Sequence, residues 1–291
     1  MDQATNLRNI IKHQDVRQHT AKIITITSGK GGVGKSSLSI NLAISLSKLN
    51  QRVVILDADF GLANIEVMLG MRPTYNLTAL MYEGKSLKDI ITPCPYNIGF
   101  ISGGSGIAEL TNLDSGQFAN VANKLYELDE IADYVIVDTG AGITNGLMRF
   151  IGVSDRTLLV ATPEPTSITD AYAVMKTVNR SFLKTNEKPT IQMVANRIAT
   201  YEEGTELYSK LNKVVSRFLS VNLTYLGGIL SDVNITKAVM AQKPIMAQNP
   251  NSPAAKAITD IALMIHNGVQ VEQKDRGGVR QLFSNMRFSR Y

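Results

Sequence analysis

One run of nine residues, 29–37, constrains the fold of this chain more than any other feature. It reads Gly-Lys-Gly-Gly-Val-Gly-Lys-Ser-Ser and lies between a β-branched stretch, 22–27, and an amphipathic helical segment, 35–49. Glycine allows the backbone N–H groups of such a run to turn inward and line a concave anion site. The amino terminus of the following helix adds the positive end of its dipole. The sequence therefore predicts a strand, a phosphate-binding loop and a helix in immediate succession.

Apolar, β-branched stretches recur along the chain with helical segments between them. Several show no polar alternation, which is typical of strands covered on both faces. The predicted strands are 22–27, 52–56, 98–101, 134–137, 157–161, 191–195 and 223–230, and the clearest helices are 35–49, 115–128 and 166–183. This alternation predicts an α/β fold: a doubly wound, mainly parallel sheet of seven to eight strands flanked by helices. Ligands of such folds bind at the carboxyl ends of the strands.

The spacing of the glycine-rich run matches the P-loop of nucleotide-binding proteins. Gly29 and Gly34 enclose four residues, and Lys35 and Ser36 follow. A glycine-rich turn without a ligand is the alternative, and the flanking strand and helix argue against it. We expect Lys35 to reach the β- and γ-phosphates of ATP or ADP and the Ser36 hydroxyl to ligate Mg²⁺. The predicted nucleotide-binding residues of the loop are Gly29, Gly31, Gly32, Val33, Gly34, Lys35, Ser36 and Ser37.

Carboxylates follow two of the predicted strands at the positions where a P-loop enzyme needs them. Asp57 and Asp59 alternate after the strand 52–56, so one can face a Mg²⁺ ion and the other an attacking water. A strand cap would explain either acid alone, but not both beside a P-loop. Asp138 ends the apolar run 134–137 and fits an acid that holds Mg²⁺, usually through water.

The string Lys-Gly-Gly-Val-Gly-Lys-Ser, 30–36, resembles the deviant P-loop of the MinD/ParA/Mrp family of dimerising ATPases. The resemblance implies a homodimer that forms on MgATP, in which Lys30 crosses the interface and stabilises charge on the partner's phosphates. It also implies that Asp57 lies on the metal side and that Asp59 orients the water. Lys30, Lys35 and Asp59 are thus the expected catalytic residues of a slow ATP hydrolase.

Three further positions take their expected roles from the same resemblance. Asn196, after the strand 191–195, is similar to the asparagine that reads the adenine edge; the alternative is an asparagine that closes a strand. Glu164, in Thr-Pro-Glu-Pro-Thr, resembles an interface residue that touches the partner's nucleotide. Gly140, in Asp-Thr-Gly-Ala-Gly, stands where the family usually has the proline of Asp-x-Pro-Ala-Gly, and this departure predicts a looser loop.

The C-terminal segment combines an apolar stripe with basic residues. Val279, Leu282, Phe283 and Met286 recur at i, i+3, i+4 and i+7, as on one face of a helix. Residues 274–291 hold five basic side chains and one acidic one, about four of the chain's five net positive charges. Such a helix is a candidate for reversible attachment to the inner leaflet of the cytoplasmic membrane, with avidity in a dimer. Packing on the body or on a partner is the alternative.

The residues before the first strand need their own explanation, and a disordered leader is the alternative. The string Asp-Gln-Ala-x-x-Leu-Arg, with Asp2, Gln3, Leu7 and Arg8, resembles the activator motif of the FlhG (FleN, YlxH) branch of the family, which regulates flagellar number. Asp-Ala-Asp-Phe-Gly-Leu-Ala-Asn and Asp-Thr-Gly-Ala-Gly are also similar to that branch. The resemblance implies that these residues stimulate the signal-recognition-particle-type GTPase FlhF. It also implies that flagellar C-ring proteins are partners.

These expectations divide the chain into a GTPase-activating extension, 1–20, a MinD-like ATPase domain, 21–270, and a membrane-targeting helix, 274–291. The amino terminus has no signal-peptide pattern, and no apolar stretch is long enough to cross a bilayer. We therefore expect a cytoplasmic protein that binds the membrane reversibly. The single cysteine, Cys94, excludes an internal disulfide and a cysteine-built metal cluster.

Two relatives of the same fold stay open as alternatives. A cell-division MinD would not need the N-terminal extension. A ParA-type DNA-partitioning ATPase would need a basic face on its body, yet residues 1–273 carry a net charge of only about +1. No nucleic acid is therefore expected as a partner.

Overall fold

The strands that the sequence predicts assemble into one sheet in the order β3-β4-β2-β5-β1-β6-β7-β8. This computed structural model describes residues 20–59, 64–104, 106, 115–183, 190–268 and 279. The strands are β1 Lys22–Thr27, β2 Val53–Ala58, β3 Ile91–Cys94, β4 Ile98–Ser102, β5 Tyr134–Thr139, β6 Arg156–Ala161, β7 Thr190–Ile198 and β8 Asn222–Leu230. Neighbouring strands are parallel except β3 and β4, which are antiparallel. The predicted doubly wound, mainly parallel sheet is confirmed.

Twelve helices flank this sheet in the described part of the chain. They are α1 Lys35–Lys48, α2 Asn64–Leu69, α3 Leu77–Tyr82, α4 Leu87–Ile90, α5 Ser115–Tyr126, α6 Leu128–Ile131, α7 Asn145–Val153, α8 Pro165–Phe182, α9 Tyr201–Phe218, α10 Val233–Met240, α11 Ile245–Gln248 and α12 Pro253–His266. The three helices predicted from the sequence correspond to α1, α5 and α8, within two residues at each end. None of the twelve combines the length and the hydropathy that crossing a bilayer requires.

Successive residues of the central strands enter different hydrophobic clusters, which is why these strands read as unbroken apolar runs. On β2, Val53 and Ile55 belong to the cluster that contains the buried faces of α1 and α12. Val54 and Leu56 belong to the cluster on the opposite face, with residues of α5 and α7. All six residues of β5 are buried. The sheet is therefore the middle layer between two layers of helices.

The edge strand β3 is a feature that the sequence pattern did not indicate. It has four residues and pairs with β4 so that Pro93 lies opposite Gly99. A run this short that contains a proline gives no strand pattern, and a sheet tolerates the proline because β3 lies at its edge. The strand raises the seven predicted strands to eight.

The parallel register brings the carboxyl ends of the central strands to one edge of the sheet. Asp57 of β2 lies opposite Asp138 of β5, and Ile26 of β1 lies opposite the same aspartate. The glycine-rich run leaves β1 at this edge and leads directly into α1. The sheet thus places the predicted phosphate loop and the predicted acids together.

Candidate nucleotide site

The glycine-rich run forms a tight loop whose shape depends on two close approaches. Gly34 caps α1 with a φ of 99°, in the left-handed region that favours glycine. A Cβ atom there would also lie 2.4 Å from the side-chain nitrogen of Asn196. At Gly29, a Cβ atom would lie 2.2 Å from the backbone carbonyl of Asp170 in α8. Neither position accepts a side chain, so the loop is fixed against β7 on one side and α8 on the other.

A cleft of about 920 Å³ opens above this loop, within the usual range for small-molecule sites. Of the predicted residues, those that line it are Gly31, Gly32, Gly34, Lys35, Ser36, Ser37, Asp59 and Asn196. The other predicted binding residues lie outside this lining: Gly29 packs against α8 and the side chain of Val33 is buried in the core, and Glu164, Asp57 and Asp138 are not among the lining residues either. The structure thus brings most of the predicted loop residues to one cavity.

Lys35 is a buried cation of the cleft. Its residue is only 7% exposed, and its Nζ donates a hydrogen bond to Ser28 Oγ at 3.0 Å. Burial lowers the pKa of Lys35, while the nearby Asp138 and Asp59 carboxylates act in the opposite direction. A buried lysine with little water around it gains most from an anionic ligand, which is the role that the sequence predicts.

Asp57 and Asp138 are buried acids on adjacent strands. Asp57 Oδ1 accepts the N–H of Asp59 at 3.2 Å, and Asp138 Oδ1 accepts the hydroxyl of Ser39 at 2.7 Å. Burial, together with the Asp138 charge, raises the pKa of Asp57 to about 7. Burial likewise raises the pKa of Asp138 to about 6, although the hydroxyls of Ser36 and Ser39 act against it. Because both carboxylates are shielded from water, the state in which both are ionised is unfavourable. A bound cation would stabilise that state.

The residues around Asp138 fit a magnesium ion. The Oδ2 atom of Asp138 is buried and has no hydrogen-bond partner among the described residues. No group of three acidic, histidine or cysteine side chains in that part of the chain is arranged to hold a metal by itself. Ser36 and Asp138 would therefore hold Mg²⁺ together with nucleotide oxygens, because this hard ion prefers oxygen ligands, and Asp57 lies opposite Asp138 on the adjacent strand. When bound, Mg²⁺ would neutralise negative charge on the phosphates.

Lys30 belongs to the same loop but is held at the surface. Its Nζ donates to Glu164 Oε2 at 2.6 Å and to Thr166 Oγ1 at 3.0 Å. The side chains of Lys30 and Glu164 are 38% and 52% exposed. This hydrogen bond also lowers the pKa of Glu164. Sequence reasoning assigned Glu164 to the partner's nucleotide; the structure places it on Lys30 of its own chain.

The side-chain amide of Asn196 has a partner for its nitrogen, but none for its oxygen in the described part of the chain. Its Nδ2 donates to the Val33 carbonyl at 2.7 Å, which ties β7 to the phosphate loop. Its Oδ1 is buried without a hydrogen-bond partner among the described residues. The side chain thus has a positioning role that the sequence did not show, and its oxygen is left for a donor such as an adenine amino group.

Several cleft residues were missed by the sequence analysis. They come from the end of β8, the two residues after it and α10: Leu230, Ser231, Asp232, Ile235, Thr236 and Val239. The available signal was the polar pair Ser231-Asp232 directly after a predicted strand, which is where ligands of this fold class bind. Arg197, in the left-handed conformation with a φ of 58°, also lines the cleft and was missed.

The predicted membrane stripe has one residue in the described part of the chain, and it lies inside the body. Val279 is fully buried in the cluster that contains Val54, and its N–H donates to Asp129 Oδ1 at 3.0 Å. This arrangement corresponds to the alternative of packing on the body. Leu282, Phe283 and Met286, and the N-terminal Asp2, Gln3, Leu7 and Arg8, lie outside the described residues.

Known proteins resemble this chain over most of its length. A family model described as ParA, NUBPL iron-transfer P-loop NTPase, matches residues 19–266. The antiactivator FleN of Pseudomonas aeruginosa is 37% identical over 244 residues, which is 84% of this chain and 86% of that protein. The flagellum site-determining protein YlxH of Helicobacter pylori is 36% identical over 268 residues, 90% of this chain and 87% of that protein.

A solved structure shows the same fold. The MinD cell division protein of Aquifex aeolicus matches with a TM-score of 0.67 and 24% sequence identity, covering 87% of this chain and 100% of that chain. The expected MinD/ParA relationship and the resemblance to the FlhG branch are both confirmed. The chain therefore belongs to the ParA family of P-loop NTPases, within the branch that holds FleN and YlxH, and it is an ATP hydrolase.

Proposed function

We propose that this protein is a switch that dimerises on MgATP, attaches to the membrane and regulates the number and placement of flagella. MgATP bound at the interface of two copies would join them, and hydrolysis would part them by removing the γ-phosphate contacts. The observation that carries the proposal is the different placement of the two lysines of one loop. Lys35 is buried in the cleft of its own chain, whereas Lys30 is half-exposed and held from outside by Glu164.

An exposed cation in a phosphate loop is suited to act on a second molecule. Lys30 is not among the residues that line its own cleft, and its ion pair with Glu164 lies at the surface, where such pairs are weak. A competing phosphate oxygen on another subunit would bind the ammonium group at little cost. The placement therefore supports the role in trans that the family resemblance implies.

Within the cleft, the chain's own groups divide the work of hydrolysis. Lys35 and the N–H groups of the loop bind the phosphates, and Asp59 orients a water in line with the γ-phosphorus. The water oxygen bonds to that phosphorus as the bond to the bridging oxygen breaks. ADP and inorganic phosphate leave, and the protons of the water pass to the phosphate and the solvent. Lys30 from the second copy stabilises the charge that develops on the phosphoryl oxygens.

The test of this switch is Lys30→Ala, with turnover and nucleotide binding measured on the same sample. We expect turnover to fall by about 10³-fold, as when an arginine finger is lost, with affinity for ADP nearly unchanged. Lys210→Ala, which removes an exposed lysine paired with Glu206, is the matched control. Full turnover in Lys30→Ala would reject the role in trans.

The flagellar part of the proposal is supported by the names and similarity of the relatives. FleN is called an antiactivator and YlxH a flagellum site-determining protein. The family model's description also includes iron transfer. The single cysteine of this chain, Cys94, is a poor iron ligand, because it is buried and burial raises the pKa of its thiol to about 12. GTP turnover by purified FlhF, with this protein and with a version lacking residues 1–20, tests the assignment. Stimulation that disappears with the deletion supports it, and no stimulation by either version contradicts it.

The membrane part is supported by the basic, amphipathic sequence of residues 274–291. Because Val279 is buried in the body, its contact with lipid would require this segment to leave its site near Asp129. Co-sedimentation with vesicles of anionic lipid, with and without ATP, measures attachment. A version lacking residues 277–291 should lose it, and undiminished sedimentation would reject the anchor.

A further inference from the structure

We propose that Gly140 is a positioning residue for hydrolysis: the absence of a side chain there makes the seat in which the Asp59 carboxylate lies. Gly140 follows β5, and Asp59 follows the adjacent strand β2. A Cβ atom at residue 140 would lie 2.8 Å from Asp59 Oδ1 and 3.5 Å from its Cγ. The contact of 2.8 Å with the oxygen is closer than a Cβ atom tolerates, so a side chain and the carboxylate cannot both keep this arrangement.

Space, and not backbone conformation, is the reason for glycine at this position. Gly142, two residues later, has a φ of 90°, but the φ of Gly140 lies outside the left-handed region. An alanine could therefore adopt the backbone at residue 140 without strain. The Gly142 N–H also donates to the Ser28 carbonyl at 3.1 Å, which fastens the loop to the strand end before the phosphate loop. The group that must give way to a new side chain is thus the end of Asp59.

The second oxygen of Asp59 is held from the opposite direction. Asn64, the first residue of α2, donates from Nδ2 to Asp59 Oδ2 at 2.9 Å. The backbone N–H of Asp59 donates to Asp57 Oδ1 at 3.2 Å. Gly140 therefore lies against one oxygen of the Asp59 carboxylate, and Asn64 donates a hydrogen bond to the other. Together they fix the orientation of the carboxylate plane. Asp59, Asn64 and Ala141 all line the cleft, so this arrangement faces the space in which a nucleotide would bind.

The orientation matters because a water-positioning group works only within a narrow geometry. A misplacement of about 1 Å at such a group costs roughly a hundredfold in rate. The inference rests on the proposed role of Asp59 as the residue that orients the water.

The test compares steady-state ATP turnover of the full-length protein with Gly140→Ala and Asn64→Ala. We expect Gly140→Ala to lower kcat by about tenfold to a hundredfold, with KM for ATP within about twofold of the original value. The ATP-bound dimer, followed by light scattering, should persist longer by the same factor. The unfolding temperature should not change, because only the end of a side chain moves. Gly152→Ala, in α7 with Phe182 as its nearest neighbour, is the control for a glycine substitution outside the site.

A double substitution separates positioning from a structural effect. If Gly140 acts through Asp59, then Gly140→Ala added to Asp59→Ala lowers kcat no further. A further fall, or a kcat for Gly140→Ala equal to that of the original protein, would overturn the inference. If Gly140→Ala fails to fold, Asn64→Ala tests the same arrangement, because Asn64 binds the second oxygen of Asp59. An unchanged kcat in Asn64→Ala would then overturn the inference. Full turnover by Asp59→Ala would instead reject the proposed role of Asp59 itself, so the two failures are distinguishable.

Discussion

The two edges of the sheet differ in how their acidic groups are bonded: in the described part of the chain, Asp138 keeps a free oxygen at the carboxyl edge, whereas Asp129 and Asp155 accept backbone N–H groups at the amino edge. At the carboxyl edge, the side chains of four central strands leave buried atoms without hydrogen-bond partners among the described residues. These atoms are Thr27 Oγ1, Asp138 Oδ2, Thr162 Oγ1 and Asn196 Oδ1. They stand at or just beyond the ends of β1, β5, β6 and β7, which are consecutive in the sheet.

At the amino edge, Arg156 Nη2 and Thr224 Oγ1 also lack partners among the described residues, but two carboxylates are satisfied by the chain itself. Asp129 Oδ1 accepts the N–H groups of Ala21 and Val279, each at 3.0 Å. Asp155 Oδ2 accepts the N–H of Ile23 at 2.7 Å. A charge-assisted bond from a backbone N–H to a carboxylate contributes more than a neutral one, so these contacts help to close the fold where β1 begins.

We interpret the unpaired atoms at the carboxyl edge as groups that serve a ligand, and the contacts of Asp129 and Asp155 as contacts that serve the fold. Each buried polar atom without a partner costs about 1–3 kcal/mol, and a bound nucleotide with Mg²⁺ can recover that free energy. Substitutions at the carboxyl edge should therefore change activity more than stability. At the amino edge the order should be reversed.

The largest expected effect is that of Lys35→Ala at the carboxyl edge. Turnover should fall by about 10³-fold because the buried cation for the phosphates is lost. The free energy of unfolding should stay the same or rise, since burial disfavours the charged form of this side chain and lowers its pKa. Calorimetry and turnover on one preparation check both parts. A marked loss of stability would mean that Lys35 stabilises the fold, and it would contradict the proposed difference between the two edges.

Asp129→Ala at the amino edge should show the opposite profile. Two backbone N–H groups lose their acceptor, so the free energy of unfolding should fall by about 3 kcal/mol. Turnover per folded molecule should be retained, because the residue lies at the other end of the strands. Asp129→Asn keeps an oxygen acceptor and is the matched control, with a smaller loss expected. Denaturant titration provides the measurement, and equal stability of the alanine variant would contradict the proposed closure.

The fold and the phosphate loop could be predicted because their signals are local in the sequence. A glycine-rich run between a strand and a helix, and buried strands without polar alternation, keep their meaning wherever they occur. The contacts that refine the site are distant along the chain. Lys30 and Glu164 are 134 residues apart, and Asn196 and Val33 are 163 apart. No local pattern could pair them.

Two other features could not be predicted for physical reasons of their own. An apolar helical stripe has the same pattern whether it faces lipid or a protein core, so Val279 was assigned to the membrane and is found in the body. The departure at Gly140 was visible in the sequence and was interpreted as a looser loop. Its contact with Asp59 shows instead a need for space, which only the packing of adjacent strand ends reveals.

The smallest expected effect is that of Glu164→Gln. It tests whether Glu164, at the carboxyl edge, restrains Lys30 or completes a site shared with a second copy. In this structure Glu164 holds Lys30 of its own chain, so its neutral replacement should free the lysine for a second copy. We expect turnover at low protein concentration to rise by roughly twofold to fivefold, because exposed ion pairs are weak. The gain should shrink as salt screens the pair.

Glu206→Gln, which removes a carboxylate from the exposed pair with Lys210, is the control for loss of a surface charge. Turnover measured against protein concentration, at low and at high salt, separates easier dimerisation from faster chemistry. Easier dimerisation moves the midpoint of this curve to lower concentration and leaves its plateau unchanged. A lower plateau would mean that Glu164 contributes to the assembled site, as a contact to the partner's nucleotide would. The sign of one substitution thus distinguishes a residue that restrains Lys30 from one that completes the shared site.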